Sequence, residues 1–220
     1  MDATQTKPPI DFYYWSTPNG VKIAIMLLES KLSFRAIPID LTKGKQFDPE
    51  FLLVNPNGKI PALVDHQAAG GALSLFESGA ILQYLAEKTG LFCPKDLHQK
   101  YEVTKWLMWQ VSGLGPMSGQ AMHFRVYATE KVPYAIDRYT KEVSRLYEVM
   151  DKHLSKHEYL AGSYSIADMA CWPSIVPYEK LGQDLQKFPN LKRWFQQIGR
   201  KDNVMTAWKQ TIDLCLIPAS

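Results

Sequence analysis

Residues 10–28 read IDFYYWSTPNGVKIAIMLL and change character twice. The apolar and aromatic run at residues 10–14 is typical of a buried strand. A Ser-Thr-Pro-Asn-Gly sequence follows and predicts a turn, because proline and glycine in this arrangement interrupt regular structure. Apolar residues then recur at helical spacing from Val21 to Leu28. This stretch therefore predicts a strand, a turn and a helix in immediate succession.

Short apolar segments and turn signals continue up to residue 92. We predict a strand at residues 34–41, a short helix at 48–54, strands at 60–64 and 73–76, and a helix at 78–88. Proline at position 49 suits the first turn of a helix, and Asn55-Pro56-Asn57-Gly58 predicts a turn before the third strand. The element order is βαβαββα, which indicates an α/β domain over residues 1–92.

Beyond a linker at residues 93–96 the pattern is helical throughout. Helices are predicted from residue 97 onwards and at residues 133–154, 166–181, 189–198 and 202–214. Ser165 and Asp168 have the spacing of a capping box where one of these helices starts. We therefore expect a second, all-α domain over residues 93–220.

The composition narrows the range of functions. The chain has 220 residues, 46% of them hydrophobic, and a net charge of +3, which fits folded domains with their own cores. Its basic residues are scattered, so nucleic acid is not an expected partner. The three cysteines are far apart and fit neither a disulfide framework nor a metal site. Since no signal peptide and no membrane-spanning run is present, we expect a cytoplasmic protein without a membrane partner.

One pair of histidines has the spacing of metal ligands. His153 and His157 lie one helical turn apart, but no acidic third ligand accompanies them. Charged residues surround the pair in the sequence, namely Asp151, Lys152 and Lys156. We expect a solvated helix face here and no metal site.

Several local motifs resemble those of one known superfamily, the glutathione transferases. Asn55-Pro56-Asn57-Gly58-Lys59-Ile60-Pro61 looks like the turn before their cis-proline, and Phe76-Glu77-Ser78 looks like the acidic-serine pair that grips glutathione. Ser165-Ile166-Ala167-Asp168 resembles their helix cap, and residues 14–22 are most similar to the nu class and the yeast nitrogen-regulator branch. Residues 113–117 and 134–139 point the same way. The resemblance covers nearly the whole chain and implies the glutathione transferase fold, with a thioredoxin-like domain followed by an all-helical one.

Glutathione carries its own cysteine, so the protein has to hold the tripeptide and favour its thiolate. Lowering a thiol pKa from about 8.5 to about 6.5 requires roughly 2.7 kcal/mol. A helix N-terminus contributes about 0.3–1 kcal/mol, and a hydrogen bond to a charged acceptor about 1.5–3 kcal/mol. The resemblance assigns this task to Thr17 and Asn19 at the start of the first helix, and we expect them to be the catalytic residues.

Other interpretations of the same segment stay open. Thr17 and Asn19 could form only a helix cap and turn. Tyr13, Tyr14 and Ser16 are alternative donors, since other transferase classes place a tyrosine or serine hydroxyl against the thiol. Alternation along the strand predicts that one of the two tyrosines is buried. A dithiol mechanism is excluded at this position, because Ser16-Thr17-Pro18-Asn19 stands where a thioredoxin has Cys-x-x-Cys.

The resemblance also implies which residues bind glutathione. Glu77 would pair with its ammonium group, and Ser78 at a helix start with a carboxylate. Ile60, before a cis peptide bond to Pro61, would bind the cysteinyl residue through its backbone. The remaining members of the set are Gln46, Lys59 and Arg138. Arg138 would reach a second glutathione from the helical domain, and the alternative is an ordinary solvated arginine.

The implied activity is glutathione-dependent reduction of small disulfides, with glutathione or glutathione disulfide as the co-substrate. One alternative is conjugation or peroxide reduction on the same thiolate, with the second substrate in an apolar cleft. Five apolar residues would line such a cleft, although core packing is an equally good explanation for them, namely Trp106, Trp109, Met117, Met122 and Phe124. Another alternative is a non-enzymatic regulator, although the long Asn- and Gln-rich extension of the yeast regulator does not precede the first strand here. A homodimer is also implied.

Overall fold

A four-stranded mixed sheet organises the first part of the chain. The computed structural model describes residues 8–216 and orders the strands β2-β1-β3-β4. They are β1 (Ile10–Tyr14), β2 (Phe34–Pro38), β3 (Ala62–Asp65) and β4 (Leu73–Phe76). β2 is parallel to β1, whereas β3 is antiparallel to both β1 and β4. With the helices α1 (Pro18–Glu29), α2 (Pro49–Val54) and α3 (Ser78–Thr89), the predicted order βαβαββα is confirmed.

The two faces of β1 are covered differently, because successive side chains of a strand point to opposite faces. Phe12 and Tyr14 are buried on one face, where their rings stack 5.4 Å apart. Tyr13 is half-buried on the other face and packs against Phe51 of α2. The prediction that alternation buries one tyrosine of the pair is confirmed, and the buried one is Tyr14.

Helix α1 is buried at every position from residue 20 to residue 28. Helix α9 (Asp202–Ile212) covers one side of it. Nδ2 of Asn203 donates a hydrogen bond to Oε2 of Glu29 at the end of α1, at 3.3 Å. At the other end of α9, the methyl group of Thr211 lies against Gly20 at the start of α1. The two helices therefore run antiparallel along one another.

The described residues form two compact units, residues 8–85 with 203–216 and residues 86–202. Helix α9 thus belongs with the sheet, although most of the chain separates them. The predicted domain boundary after residue 92 stays a prediction.

Two strands are shorter than predicted. β2 ends at Pro38 instead of residue 41, because its partner β1 ends at Tyr14, whose carbonyl accepts the last hydrogen bond between the strands from the N–H of Ile39. The chain then forms a 3₁₀ turn, Leu41–Lys43, whose N-terminus is capped by Asp40. β3 begins at Ala62 instead of residue 60, directly after a cis peptide bond between Ile60 and Pro61.

The second unit is helical, as predicted. Its helices are α4 (Leu97–Trp109), α5 (Gly115–Met122), α6 (Pro133–Leu154), α7 (Ile166–Ile175) and α8 (Pro189–Gly199). α7 ends at Ile175, earlier than predicted, because Pro177 directly after its C-cap has no N–H to continue the helix, and residues 176–182 form turns. α9 ends at Ile212, two residues before its predicted end. No helix within residues 8–216 is long and apolar enough to cross a membrane.

Two π-helical turns interrupt the helical run at residues 97–127. They are Gln110–Leu114, between α4 and α5, and His123–Tyr127, after α5. Gln110 is fully buried and donates from Nε2 to Oγ of Ser174 at 3.2 Å. A Cβ atom at position 115 would lie 2.8 Å from that same Nε2, so the close approach requires Gly115.

The predicted capping box at α7 is confirmed. Asp168 is completely buried and accepts hydrogen bonds from the backbone N–H groups of Leu160 and Ser165, and from Nε1 of Trp194 at 2.8 Å. Burial raises the pKa of the Asp168 carboxyl to about 6, although these hydrogen bonds act in the opposite direction. The cap therefore holds α7 against both the preceding loop and α8.

Candidate active site

Three loops meet at one end of the sheet. Tyr13 of β1 pairs with Ala62 of β3, which in turn pairs with Phe76 of β4. One residue further along this register, Pro61 lies between Tyr14 and Glu77. The turn after β1, the cis-proline before β3 and the start of α3 therefore share one edge of the sheet. This edge brings together the predicted residues Thr17, Asn19, Ile60, Pro61, Glu77 and Ser78.

Thr17 caps α1 and still has a proton to donate. Its Oγ1 accepts the backbone N–H of Gly20 at 3.4 Å, and its carbonyl accepts that of Val21 at 3.2 Å. A threonine hydroxyl carries one donor proton besides its lone pairs, so the cap leaves this proton for another acceptor. The helix-cap and thiol-donor interpretations of Thr17 are therefore compatible.

Asn19 provides the second donor at the start of α1. Pro18 has no N–H, and Thr17 accepts the N–H groups of Gly20 and Val21. Within residues 8–216 no group accepts the backbone N–H of Asn19, and the residue is exposed. Together with the positive end of the helix dipole, these donors suit a negatively charged atom.

Asn55 holds the turn in front of the cis-proline. It is 2% exposed, its Oδ1 accepts the N–H of Asn57 at 2.9 Å, and its Nδ2 donates to the carbonyl of Lys59. Gly58 has a φ of 62°, and the Phe47 ring covers it so closely that a Cβ would be 3.2 Å away. The backbone that leads into Ile60 is thus fixed from both sides.

Lys22 joins the starts of α1 and α3. Its Nζ donates to Oγ of Ser78 at 3.3 Å, and both residues are buried. Lys22 is not among the predicted site residues, although a lysine within an apolar helix was a usable signal, since buried lysines are rare. Its positive charge adds to that of the α3 N-terminus, where a carboxylate is favoured. Glu77, between β4 and α3, is exposed and has a left-handed backbone with a φ of 69°.

Gln46 offers a hydrogen-bond acceptor beside the turn at residues 55–58. Its backbone oxygen lies next to Gly58, and its side-chain Oε1 is buried without a hydrogen bond from any described residue. A buried carbonyl oxygen of this kind favours a ligand that brings an N–H group. Lys59 is exposed and directly follows the same turn.

Arg138 lies on α6 in the second unit and borders a cleft of about 570 Å³. Apolar and aromatic side chains contribute to its lining, namely Met117, Tyr134 and Tyr139. The neighbouring cations Lys141 and Arg145 each pair with an acidic residue of α6. Arg138 pairs with no carboxylate among the described residues, so it is available to an anionic ligand in this cleft.

One of the alternative donors, Tyr14, is buried. The hydroxyl oxygen of Tyr14 accepts the backbone N–H of Leu216 at 3.4 Å inside the unit. Tyr13 lies on the α2 face of the sheet, and burial raises the pKa of both tyrosines. Ser16 is half-buried in the turn itself.

The cysteines do not form a thiolate site. Cys171 is buried, and burial raises the pKa of half-buried Cys93. Cys215 is exposed, and none of the three forms a disulfide.

The histidine pair differs from its prediction. His153 is half-buried, and its ring packs on Trp106 and stacks on His157 at 4.1 Å, so the face is not simply solvated. One nitrogen of each ring bonds to a backbone carbonyl, that of Leu160 or of His153. Residues 8–216 contain no group of three or more side chains that could hold a metal ion.

The chain matches two family models. Residues 9–87 match the glutathione S-transferase N-terminal domain, and residues 115–202 match the glutathione S-transferase C-terminal domain.

Individual proteins with known names are also similar. Disulfide-bond oxidoreductase YfcG of Escherichia coli is 52% identical over 192 residues, which cover 86% of this chain and 89% of YfcG. Protein URE2 of Eremothecium gossypii is 34% identical over 89% of this chain and 66% of its own length. A glutathione transferase from Pseudomonas putida, solved with one glutathione disulfide per subunit, aligns with a TM-score of 0.88 and 37% identity over 94% of both chains.

These matches agree with the architecture described above. The four-stranded sheet lies within the N-terminal match, and α5 to α8 lie within the C-terminal one. They confirm the predicted fold class and the resemblance on which it was based. The chain belongs to the glutathione S-transferase family.

Proposed function

We propose that this chain is a disulfide-bond oxidoreductase that works through a bound glutathione thiolate. The observation that carries the proposal is the pair of open donors at the start of α1, the Thr17 hydroxyl and the Asn19 N–H. They lie at the same edge of the sheet as the cis-proline and the start of α3. The name of YfcG and the glutathione disulfide in the Pseudomonas putida enzyme support this reading.

The other site residues take the roles that their surroundings favour. Ser78, with the N-terminus of α3 and the Lys22 charge behind it, binds a carboxylate of glutathione. Glu77 pairs with the ammonium group, and the Ile60 backbone beside Pro61 binds the cysteinyl residue. Gln46 accepts an N–H at its open Oε1, and Lys59 completes the cradle. Arg138 binds a carboxylate of the second glutathionyl group.

The reaction needs no change in the redox state of the protein. The bound glutathione thiolate attacks one sulfur of a small disulfide, the S–S bond breaks, and a mixed disulfide and a thiolate result. A second glutathione thiolate then attacks the glutathionyl sulfur of the mixed disulfide. Glutathione disulfide forms and the second substrate thiolate leaves. The two glutathiones supply both electrons, and their two protons end on the released thiols.

The test compares glutathione-dependent reduction of a small model disulfide with conjugation of an aryl halide. We expect fast reduction and weak conjugation. The Thr17→Val, Asn19→Ala double variant removes the Thr17 hydroxyl and the Asn19 side-chain amide but keeps the Asn19 backbone N–H. It should lose about 10- to 150-fold in kcat/KM, the rate equivalent of one hydrogen bond to a charged acceptor. Thr17→Ser keeps both the cap and the proton and is the matched control.

Three other outcomes of this activity test would contradict the proposal or favour one of the alternatives. Full activity in the double variant would show that neither the Thr17 hydroxyl nor the Asn19 side chain activates the thiol. Conjugation faster than reduction would favour the transferase or peroxidase alternative. Glutathione binding without either reaction would favour the regulatory protein.

We further propose a cytoplasmic homodimer that acts on small disulfides. Leu97, Tyr101 and Met108 share one face of α4 and are 65%, 62% and 40% exposed. Exposed apolar side chains at helical spacing are typical of a surface that packs on another subunit. The reducing cytoplasm, where free thiols persist, suits both the three cysteines and the reaction.

A further inference from the structure

We infer that the C-terminal strap, defined as α9 with residues 213–216, positions the thiol-binding turn through Tyr14 and Gly20. The inference deepens the proposed function and rests on it, because it identifies what holds the Thr17 and Asn19 donors in place. Both contacts lie within the unit that contains the sheet.

The first contact is made by the end of the strap. Leu214 has a left-handed φ of 55°, which ends α9 and reverses the chain, as residues at helix C-termini commonly do. The N–H of Cys215 bonds back to the carbonyl of Gln210 at 2.9 Å. The next N–H, that of Leu216, donates to the hydroxyl oxygen of Tyr14 at 3.4 Å. Tyr14 and Leu216 are only 1% and 7% exposed, so water does not compete freely for this bond.

The second contact is made by the helical part of the strap. A Cβ at Gly20 would lie 2.8 Å from the Trp15 carbonyl oxygen and 3.4 Å from the Thr211 methyl group. The turn at residues 15–20 is therefore closed tightly on itself, and α9 presses on it from the helix side. Oγ1 of Thr211 is buried without a partner among the described residues, so Thr211 acts here through its shape.

These contacts bear on the thiolate because its hydrogen bonds depend steeply on distance and angle. Tyr14 comes three residues before Thr17, and Gly20 directly follows Asn19. The strap thus holds the donor turn at both of its ends. The start of α3 is held by a different contact, that between Lys22 and Ser78. Loss of the strap contact should therefore change the pKa of the bound thiol and kcat more than the KM for glutathione.

The test uses two neighbouring tyrosines that undergo the same chemical change. Tyr14→Phe removes the acceptor of the Leu216 N–H, whereas Tyr13→Phe alters the opposite face of the sheet. The readouts are kcat, KM and the pKa of bound glutathione, titrated by the ultraviolet absorbance of its thiolate. For Tyr14→Phe we expect a kcat about fivefold lower and a thiol pKa raised by up to about 0.7, the equivalent of one neutral hydrogen bond. Tyr13→Phe should keep all three values.

A second variant tests the same contact if Tyr14→Phe does not fold. A chain that ends at Leu214 lacks the donor instead of the acceptor, and it should raise the thiol pKa in the same way. Melting temperatures of all variants show whether the fold is kept.

Several results would overturn the inference. Equal behaviour of the two tyrosine variants would do so, as would a raised KM with an unchanged thiol pKa, which would indicate a role in holding glutathione. If the thiol pKa is lowered in the parent protein and equally lowered in Tyr14→Phe and in the chain that ends at Leu214, the role of the strap is wrong and the proposed function stands. A bound thiol without a lowered pKa in the parent protein would overturn the proposed function as well.

Discussion

Under the proposed function, single residues at the edge of the sheet combine a structural role with a chemical one. Thr17 accepts the Gly20 N–H to cap α1, and the same oxygen keeps a proton that it can donate. Lys22 fills space within a buried helix and brings a positive charge to Ser78. A substitution at either position therefore affects stability and chemistry together, and the two effects have to be measured separately.

Replacing Lys22 tests its part in holding glutathione. Lys22→Met keeps the apolar stem but removes the ammonium that bonds to Ser78. We expect the KM for glutathione to rise at least about tenfold, because hydrogen bonds to charged groups contribute about 1.5–3 kcal/mol. The control is Lys43→Met, which removes an exposed lysine whose surface pair with Asp40 contributes little. An unchanged KM in Lys22→Met, at a comparable melting temperature, would contradict this role.

At the scale of the elements, the π-turn after α4 requires a glycine at position 115. The glycine at position 119, one helical turn further along, is not required by packing. Gly115→Ala would place a Cβ 2.8 Å from Nε2 of Gln110, whereas nothing lies within 4 Å of a Cβ at Gly119. We expect Gly115→Ala to lower the free energy of unfolding by about 1–3 kcal/mol through overpacking. Gly119→Ala should raise it by up to about 1 kcal/mol through helix propensity. Denaturant unfolding measures both, and a stabilised Gly115→Ala protein would contradict the close packing.

The cap of α7 should make stability depend on pH. The Asp168 carboxyl has a pKa of about 6 in the folded chain, against 3.8 for an unperturbed aspartate, so the folded state binds this proton more tightly. Its contribution to stability is complete below about pH 4 and is lost as the pH rises through 6. From pH 4 to pH 7 we expect a loss of about 2 kcal/mol from this group. Urea unfolding across this range should show the loss in the parent protein and not in Asp168→Asn, and parallel profiles would contradict it.

The elements that carry local signals were predictable, and those built from distant contacts were not. The limits of α6 agree with the prediction, because Pro133 marks its start and its apolar residues recur regularly. The π-turns escaped prediction, since an inserted residue leaves no mark in composition. The bond between Tyr14 and Leu216 joins residues 202 positions apart and has no local sign. At the candidate site, the motifs indicated Thr17, Pro61 and Ser78. A lysine within an apolar helix was a usable signal for Lys22, but its contact with Ser78, 56 positions away, was not predictable.

At the scale of the whole molecule, the assembly of two chains is the property to test. Leu97 and Tyr101 lie one turn apart on the exposed apolar face of α4. The double variant Leu97→Glu, Tyr101→Glu should sediment as a monomer where the parent protein sediments as a dimer, because two buried carboxylates in an apolar interface are costly. Leu53→Glu is the control, since Leu53 is 86% exposed on α2 and should not affect assembly. A monomeric parent protein, or a dimeric double variant, would contradict the proposed interface.

The two π-turns also determine how this chain tolerates changes in length. Each π-turn is an α-helix with one residue added, so deleting one residue within 110–114 or 123–127 could restore a regular helix without opening a loop. The wider π-turn accommodates its extra residue locally, so the side chains beyond the deletion would keep roughly the facing that they have now. Single-residue gaps among relatives should accordingly fall at these two places in the helical run, where they leave the core-facing residues beyond them in place.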